Sequence, residues 1–408
     1  MTPATLRIPC VLMRGGTSRG LVFRRADLPA DRALWDPIFL AAIGSPDVRQ
    51  LDGVGAGDSH TSKVAVVNPA QEPGADMDYL FGEVAITEPR VDYAGNSGNI
   101  ISALGLYAVE EGWVAAREPE TLVRVRNLNT GKIIELSVPV RGGRAEEDGD
   151  FVLDGVPGSG PRIDMVMRDP GGAVTGKLLP AGAPTTRLDV PGVGAVEASL
   201  VDAGNPAVFV RGDDLGVPVG AAVAAINGDE ALLGRLQAVR AAGSVAMGLV
   251  ARPEQAWSHS PMVPFLALVY PPADYARFDD PARAVRAADV DLCARVISLG
   301  KLHKSINVTV ATALTAAALV PGTIPHGIAG PACAAGALRT GHPSGVVHTW
   351  GSAEDTGAGI RVAFVRLGRT ARRIFQGEVL VQPGKLRYLR ERIASAAAAD
   401  RPARFPAE

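Results

Sequence analysis

The sequence predicts an α+β chain made of two similar halves, each organised around one buried helix and related by a pseudo-twofold. Three observations carry that expectation. The stretch Val91 to Gly112 enters as a strand, breaks at Gly95-Asn96-Ser97-Gly98-Asn99 and continues as a helix. Ile100, Ile101, Ala103, Leu104, Leu106, Tyr107, Ala108 and Val109 leave that helix almost no polar face, so protein must surround it. A second apolar helix is expected over Ser305 to Leu319, entered through Gly300-Lys301-Leu302-His303-Lys304 and closed by Val320-Pro321-Gly322. Finally, the polar glycine loop that feeds the strand after Lys63 has a look-alike in Asp202-Ala203-Gly204-Asn205-Pro206, which feeds Ala207 to Val210.

At 408 residues the chain exceeds what one core organises, so we expect domains at 1–187 and 188–384 and a helical tail at 385–408 whose end is disordered by composition. Forty-one Lys plus Arg against 43 Asp plus Glu, without blocks of one sign, point away from nucleic acid and from an anionic membrane. The expected partner is a small molecule, and a homodimer is compatible with the sequence. Cys10, Cys293 and Cys333 are too few and too scattered for a disulfide framework. With no signal-peptide core at the start, a cytoplasmic protein is expected. His60, His303, His342 and His348 are not spaced as a ligand set, so no metal is expected.

Taken in order, a strand over Arg7 to Met13 turns at Arg14-Gly15-Gly16-Thr17-Ser18-Arg19-Gly20, a hairpin whose hydroxyls, N–H groups and guanidinium could hold a carboxylate. A plain solvated hairpin is the alternative. Asp31 to Ile43 reads as an amphipathic helix closed by Gly44. Lys63 stands where a glycine-rich loop becomes an apolar strand. Desolvation there disfavours an ammonium and leaves an amine able to accept a proton, although most such lysines reach solvent. His60 is a second candidate base. Strands follow at Asp78 to Ile86, Leu122 to Asn127 and Lys132 to Val140, the last two joined by the Asn129-Thr130-Gly131 turn. Residues 141–160 read as a surface excursion and 171–184 as a loop. The second half adds β structure from Leu188, an alanine-rich helix at 221–248, a strand at Val263 to Tyr270 and closing strands at 346–350, 360–367 and 374–381. At the Gly95–Asn99 turn, backbone N–H groups can bind an anion, or Ser97 or Asn96 is simply an N-cap.

Six ordered motifs resemble the PrpF family over nearly the whole chain: Met13 to Gly20, Thr61-Ser62-Lys63, Asn96-Ser97-Gly98-Asn99, Gly204-Asn205-Pro206, Leu302-His303-Lys304-Ser305 and Gly341-His342-Pro343-Ser344-Gly345. The resemblance implies the diaminopimelate-epimerase-like fold, two domains in which a curved sheet wraps a central helix, with the active site in the cleft between them. It implies isomerases that need no cofactor and act on unsaturated polycarboxylates such as 2-methylaconitate, 4-oxalomesaconate and 3-methylitaconate. It makes Lys63 the proton-transfer residue and places Ser97 where the family commonly has cysteine. A hydroxyl is a far weaker acid than a thiol, so Ser97 is not expected to act as a base alone. The two-thiol epimerase route, and with it racemisation of an amino acid, is not expected.

Catalysis is thus assigned to Lys63 and Ser97. Substrate binding is assigned to Arg14, Gly16, Thr17, Ser18, Ser62, Asn96, Gly98 and Asn99 from the first half and Lys304, Ser305, His342 and Ser344 from the second. The alternative is a non-catalytic polycarboxylate-binding accessory protein on the same fold.

Overall fold

In the computed structural model, which describes residues 4–333, 335–357 and 359–399, the two halves repeat one strand order. The first runs β1 (Leu6–Gly15), β2 (Ser18–Arg24), α1 (Trp35–Ile43), β3 (Lys63–Pro69), β4 (Met77–Val84), α2 (Gly98–Glu110), β5 (Glu120–Asn127), β6 (Ile133–Arg141) and β7 (Ile163–Arg168). The second runs β8 (Thr186–Val190), β9 (Gly194–Ala203), β10 (Asn205–Arg211), α3 (Glu230–Ala246), β11 (Phe265–Tyr270), β12 (Leu292–Ser298), α4 (Val308–Ala318), α5 (Ile324–Cys333), β13 (Ala337–His342), β14 (Gly345–Asp355) and β15 (Ile360–Arg369). The chain ends in β16 (Ala371–Val381) and α6 (Pro383–Ala399). Residues 400–408, part of the tail expected to be disordered, lie outside the described residues.

From β1 to β7 neighbouring strands pair antiparallel, parallel, antiparallel, parallel, antiparallel, antiparallel. From β9 to β15 the same senses recur. The chain crosses between halves twice in equivalent ways: β7 pairs with β6 and then leads to β8 beside β9, and β15 pairs with β14 and then leads to β16 beside β1. The topology therefore places β16 with the first half, and β7 and β15 pair with each other to join the two.

This order also corrects the repeat expected from sequence. The Gly204 turn corresponds to the Gly15–Ser18 hairpin and not to the loop before Lys63, because it joins antiparallel neighbours, whereas that loop delivers β3 to a parallel one. Both are polar turns feeding apolar strands, and the sense of pairing is not written in composition.

The two central helices are buried as expected. Gly98 to Val109 and Val308 to Ala318 are buried at every residue. The second begins at Val308, three residues later than expected, since Asn307 is still extended. Hydroxyls inside α4 donate back along the helix, Thr312 to the Val308 carbonyl and Thr315 to that of Ala311, so they add no unsatisfied group to the core. The expected amphipathic helix is instead buried on nearly all sides: in α1 only Asp36 escapes burial, because α6 covers the face left open by the sheet with Leu389 in the same cluster. No helix among the described residues is long and apolar enough to cross a membrane.

Candidate active site

The N-termini of the two buried helices meet. A Cβ on Gly98 would fall 2.4 Å from Cγ1 of Val308, so only glycine allows this approach. Ser97 precedes it in an extended conformation, and its Oγ accepts weakly from the Ile100 N–H at 3.5 Å. The halves are stitched here: the Asn96 N–H donates to Asn205 Oδ1 (3.2 Å), Asn96 Nδ2 to the Gly204 carbonyl (2.9 Å), and Asn205 Nδ2 to the Asn96 carbonyl and Thr309 Oγ1, both at 3.1 Å. Asn96 is thus chiefly an inter-half tie.

The hairpin tip lies against the first turn of α2. Gly16 has φ +50°, and a Cβ on it would stand 2.2 Å from Asn99 Oδ1. Asn99 Nδ2 donates to Thr17 Oγ1 (3.0 Å) and Ser18 Oγ (3.4 Å), and Ser305 Oγ, from the other half, donates to Thr17 Oγ1 at 3.2 Å. Gly155 closes over this group, with an added Cβ 3.4 Å from side chains of both Thr17 and Ser344. The structure thus gathers Thr17, Ser18, Asn99, Ser305 and Ser344 at one seam. Neutral hydroxyls and amides line it, under two helix N-termini that favour an anion.

Lys63 opens β3 directly opposite Glu83 of β4, and the two form an ion pair, only 6% and 2% exposed. Burial pushes the Glu83 carboxyl up to about 7, with the Lys63 ammonium opposing. Its Oε1 has no partner. Tyr79, on the same strand as Glu83, has its buried hydroxyl pushed up by burial and by Glu83, with the Ser97 backbone acting against them. Lys63 is therefore desolvated as the sequence suggests, but held by a carboxylate the sequence reading did not find.

Two His-X-Ser turns from the second half flank the seam. The Ser305 N–H donates to His303 Nδ1 (3.1 Å) and the Ser344 N–H to His342 Nδ1 (3.2 Å), which leaves Nε2 as the proton-bearing nitrogen of each ring. Burial keeps both neutral: His303 falls well below its ordinary value, with His60 adding to the effect, and His342 falls to about 3, with Arg295 and Arg369 adding. His60 lies against His303 at 4.0 Å between ring centroids, the rings tilted by 37°, and bonds to Asp58 (2.6 Å), which also pairs with Lys304 Nζ at 2.6 Å. Lys304 is thus committed to an inter-half ion pair. Its backbone carbonyl accepts from Ser344 Oγ.

Two expected binders are spent elsewhere. Ser62 is fully buried, its hydroxyl within 2.8–2.9 Å of the Asp58 carbonyl and Gln50 Oε1 and donating to one of them, so it is held by the loop that precedes β3. Arg14 Nη1 braces the hairpin, donating to the Gly16 carbonyl and to the carbonyl and hydroxyl of Thr370 at 2.9–3.0 Å. The excursion at 141–160 is not all surface: Asp154 joins Arg277 (2.9 Å) to the Val346 N–H (2.7 Å) beside Gly155. The only signal for Glu83 was an acid amid the apolar residues Phe81, Val84 and Ile86 of the expected strand. Among the described residues no three acidic, histidine or cysteine side chains converge as a metal site. Cys10, Cys293 and Cys333 are buried and free, away from both helix entrances, and burial pushes Cys10 and Cys333 up to about 11.

The sequence model of a family described as PrpF protein matches residues 5–382. A 3-methylitaconate isomerase of Eubacterium barkeri is 40% identical over 93% of this chain and 99% of its own. A 2-methyl-aconitate isomerase of Shewanella oneidensis is 36% identical over 93% and 98%. The crystal structure of a methylitaconate-delta-isomerase superposes with a TM-score of 0.76 at 40% identity, covering 94% of this chain and 98% of that one.

Proposed function

This chain belongs to the PrpF family, and from that premise we propose that it moves a proton on a small unsaturated di- or tricarboxylate without a cofactor, with Lys63 as the base. The chain is an isomerase on the diaminopimelate-epimerase-like fold. Its substrate and its base are our reading. The candidates are 3-methylitaconate, 2-methylaconitate and 4-oxalomesaconate, which share a carboxylate conjugated to, or one carbon from, an alkene.

The observation that carries the reading is the buried Lys63–Glu83 pair. We assign the proton taken from carbon to the Lys63 amine, and Glu83 beside it, its carboxyl pushed up to about 7 by burial, is the group with which that proton can be shared. Loss of that substrate proton spreads negative charge onto carboxylate oxygens. The Gly98 and Asn99 N–H groups and the Ser97 hydroxyl are the donors we assign to such charge. Return of the proton to the other end of the three-carbon unit completes a 1,3-shift, and rotation at the delocalised stage gives cis/trans exchange.

The test is a panel of the three acids in deuterated buffer, followed by ultraviolet absorbance and proton NMR. The reading requires isomerisation of at least one acid with solvent deuterium in the product. Tight binding without exchange would leave the accessory-protein reading.

A further inference from the structure

Arg369 ends β15, 3% exposed, and among the described residues no other buried arginine is so poorly served. Arg240 donates to the carbonyls of Ser260 and Ala256, Arg277 pairs with Asp154 and Asp279, and Arg295 donates to two carbonyls and lies over the Tyr275 ring. A guanidinium has five N–H donors. Among the described residues the one acceptor for Arg369 is the carbonyl of its own neighbour Gly368 at 3.0 Å, and its buried Nε has none. An uncompensated buried cation is costly, and a structure keeps one where a ligand supplies the missing charge.

Its position says which ligand. A Cβ on Gly16 would lie 3.2 Å from Arg369 Cδ and 2.2 Å from Asn99 Oδ1, so the side chain runs beneath the hairpin tip next to the first turn of α2. Asn99 Oδ1 is also buried without a partner. Because the Thr17 and Ser18 hydroxyls can donate as well as accept, a half-turn of the Asn99 amide keeps their bonds and presents an NH₂ there instead. We propose that Arg369 is a substrate-binding residue, its guanidinium holding one carboxylate of the acid with Asn99 beside it. This deepens the reading above, on which it rests, and it moves the carboxylate fork from Arg14, whose Nη1 is spent on the hairpin, to the last residue of β15.

The probe is tricarballylate, a saturated tricarboxylate that can bind but cannot isomerise, titrated by calorimetry into the whole chain and its Arg369→Gln and Arg369→Lys variants. Loss of a charge-assisted carboxylate contact should weaken binding by roughly 10- to 100-fold in the Gln variant, with the Lys variant between it and wild type. Without ligand, Arg369→Gln should melt no lower than wild type, since it removes an unpaired charge. A purely structural arginine would instead lower the melting temperature and leave affinity unchanged. Should the Gln variant fail to fold, wild-type affinity in Arg369→Lys would overturn the proposal, and a loss of affinity there would support it. Failure of the wild type to bind tricarballylate would also overturn it. The two readings separate cleanly. Arg369-dependent binding without deuterium exchange refutes the isomerase chemistry alone, and turnover with an unchanged KM in Arg369→Gln refutes this assignment alone.

Discussion

The two halves share strand order and strand sense, yet at one matched position they carry opposite chemistry. Lys63 opens β3 beside Gly20, two residues after β2 begins, and Phe265 opens β11 beside Ala207, two residues after β10 begins. Across the next strand Lys63 faces Glu83, and the register that sets Leu266 against Ile297 brings Ser298 opposite Phe265. The second half packs its aromatic ring into the core at 1% exposure. The fold therefore does not need an ion pair there. A buried pair costs desolvation that apolar packing avoids, so its presence in one half only fits the role proposed for Lys63.

The sharpest way to break this comparison is to copy the second half into the first. Lys63→Phe with Glu83→Ser should leave a folded chain and cost turnover a factor of roughly 10² to 10⁴, the usual worth of a positioned acid/base group. Glu83→Leu alone, which strands a buried ammonium, should destabilise by roughly 3–5 kcal/mol, more than the double replacement. Denaturant titration of the three proteins reads the difference.

Next in size is the effect of acid. His342 titrates near 3 folded against 6.5 unfolded, so between those values the unfolded chain binds a proton that the folded chain lacks. Stability should fall as pH drops through that window, by up to about 1.4 kcal/mol per pH unit for each such histidine. His303 acts in the same direction, whereas Glu83, raised from 4.5 to about 7, binds its extra proton in the folded state and acts oppositely. His342→Asn, which keeps an acceptor for the Ser344 N–H, should flatten the slope. An unchanged slope would mean His342 is charged in the fold.

At the helix junction, Gly98→Ala sets a methyl 2.4 Å from Val308 and should cost roughly 1–3 kcal/mol, most of it recovered by adding Val308→Ala. The smallest effect is expected at Ser97. Its cap bond is long, so Ser97→Ala should lower turnover only modestly and Ser97→Cys should remain active. Complete loss in Ser97→Ala with binding intact would make the hydroxyl a proton carrier.

The parts legible in the sequence were those governed by local pattern. All-round apolar runs announced both central helices, and glycine turns with hydroxyls announced the Thr17–Ser18 and Ser97–Asn99 ends of the site. Pairing between distant strands was not legible. Glu83 belongs to the site only because β4 runs antiparallel to β3 in one register, and Arg369 only because β15 brings it under the hairpin tip. Ser62 misled because the loop ahead of β3 folds back and takes its hydroxyl with Gln50 and Asp58. Matching the Gly204 turn to the wrong turn of the first half followed from reading polarity without strand sense.

The most direct test of the account is solvent deuterium exchange into the preferred acid by wild type and Lys63→Arg. Arginine keeps the positive charge but cannot release its proton near neutral pH, so it separates a base from a carboxylate anchor. The account predicts that wild type carries deuterium into both ends of the three-carbon unit and that folded Lys63→Arg carries none while still binding tricarballylate. Exchange by Lys63→Arg at near the wild-type rate would contradict it and pass the role of base to another group.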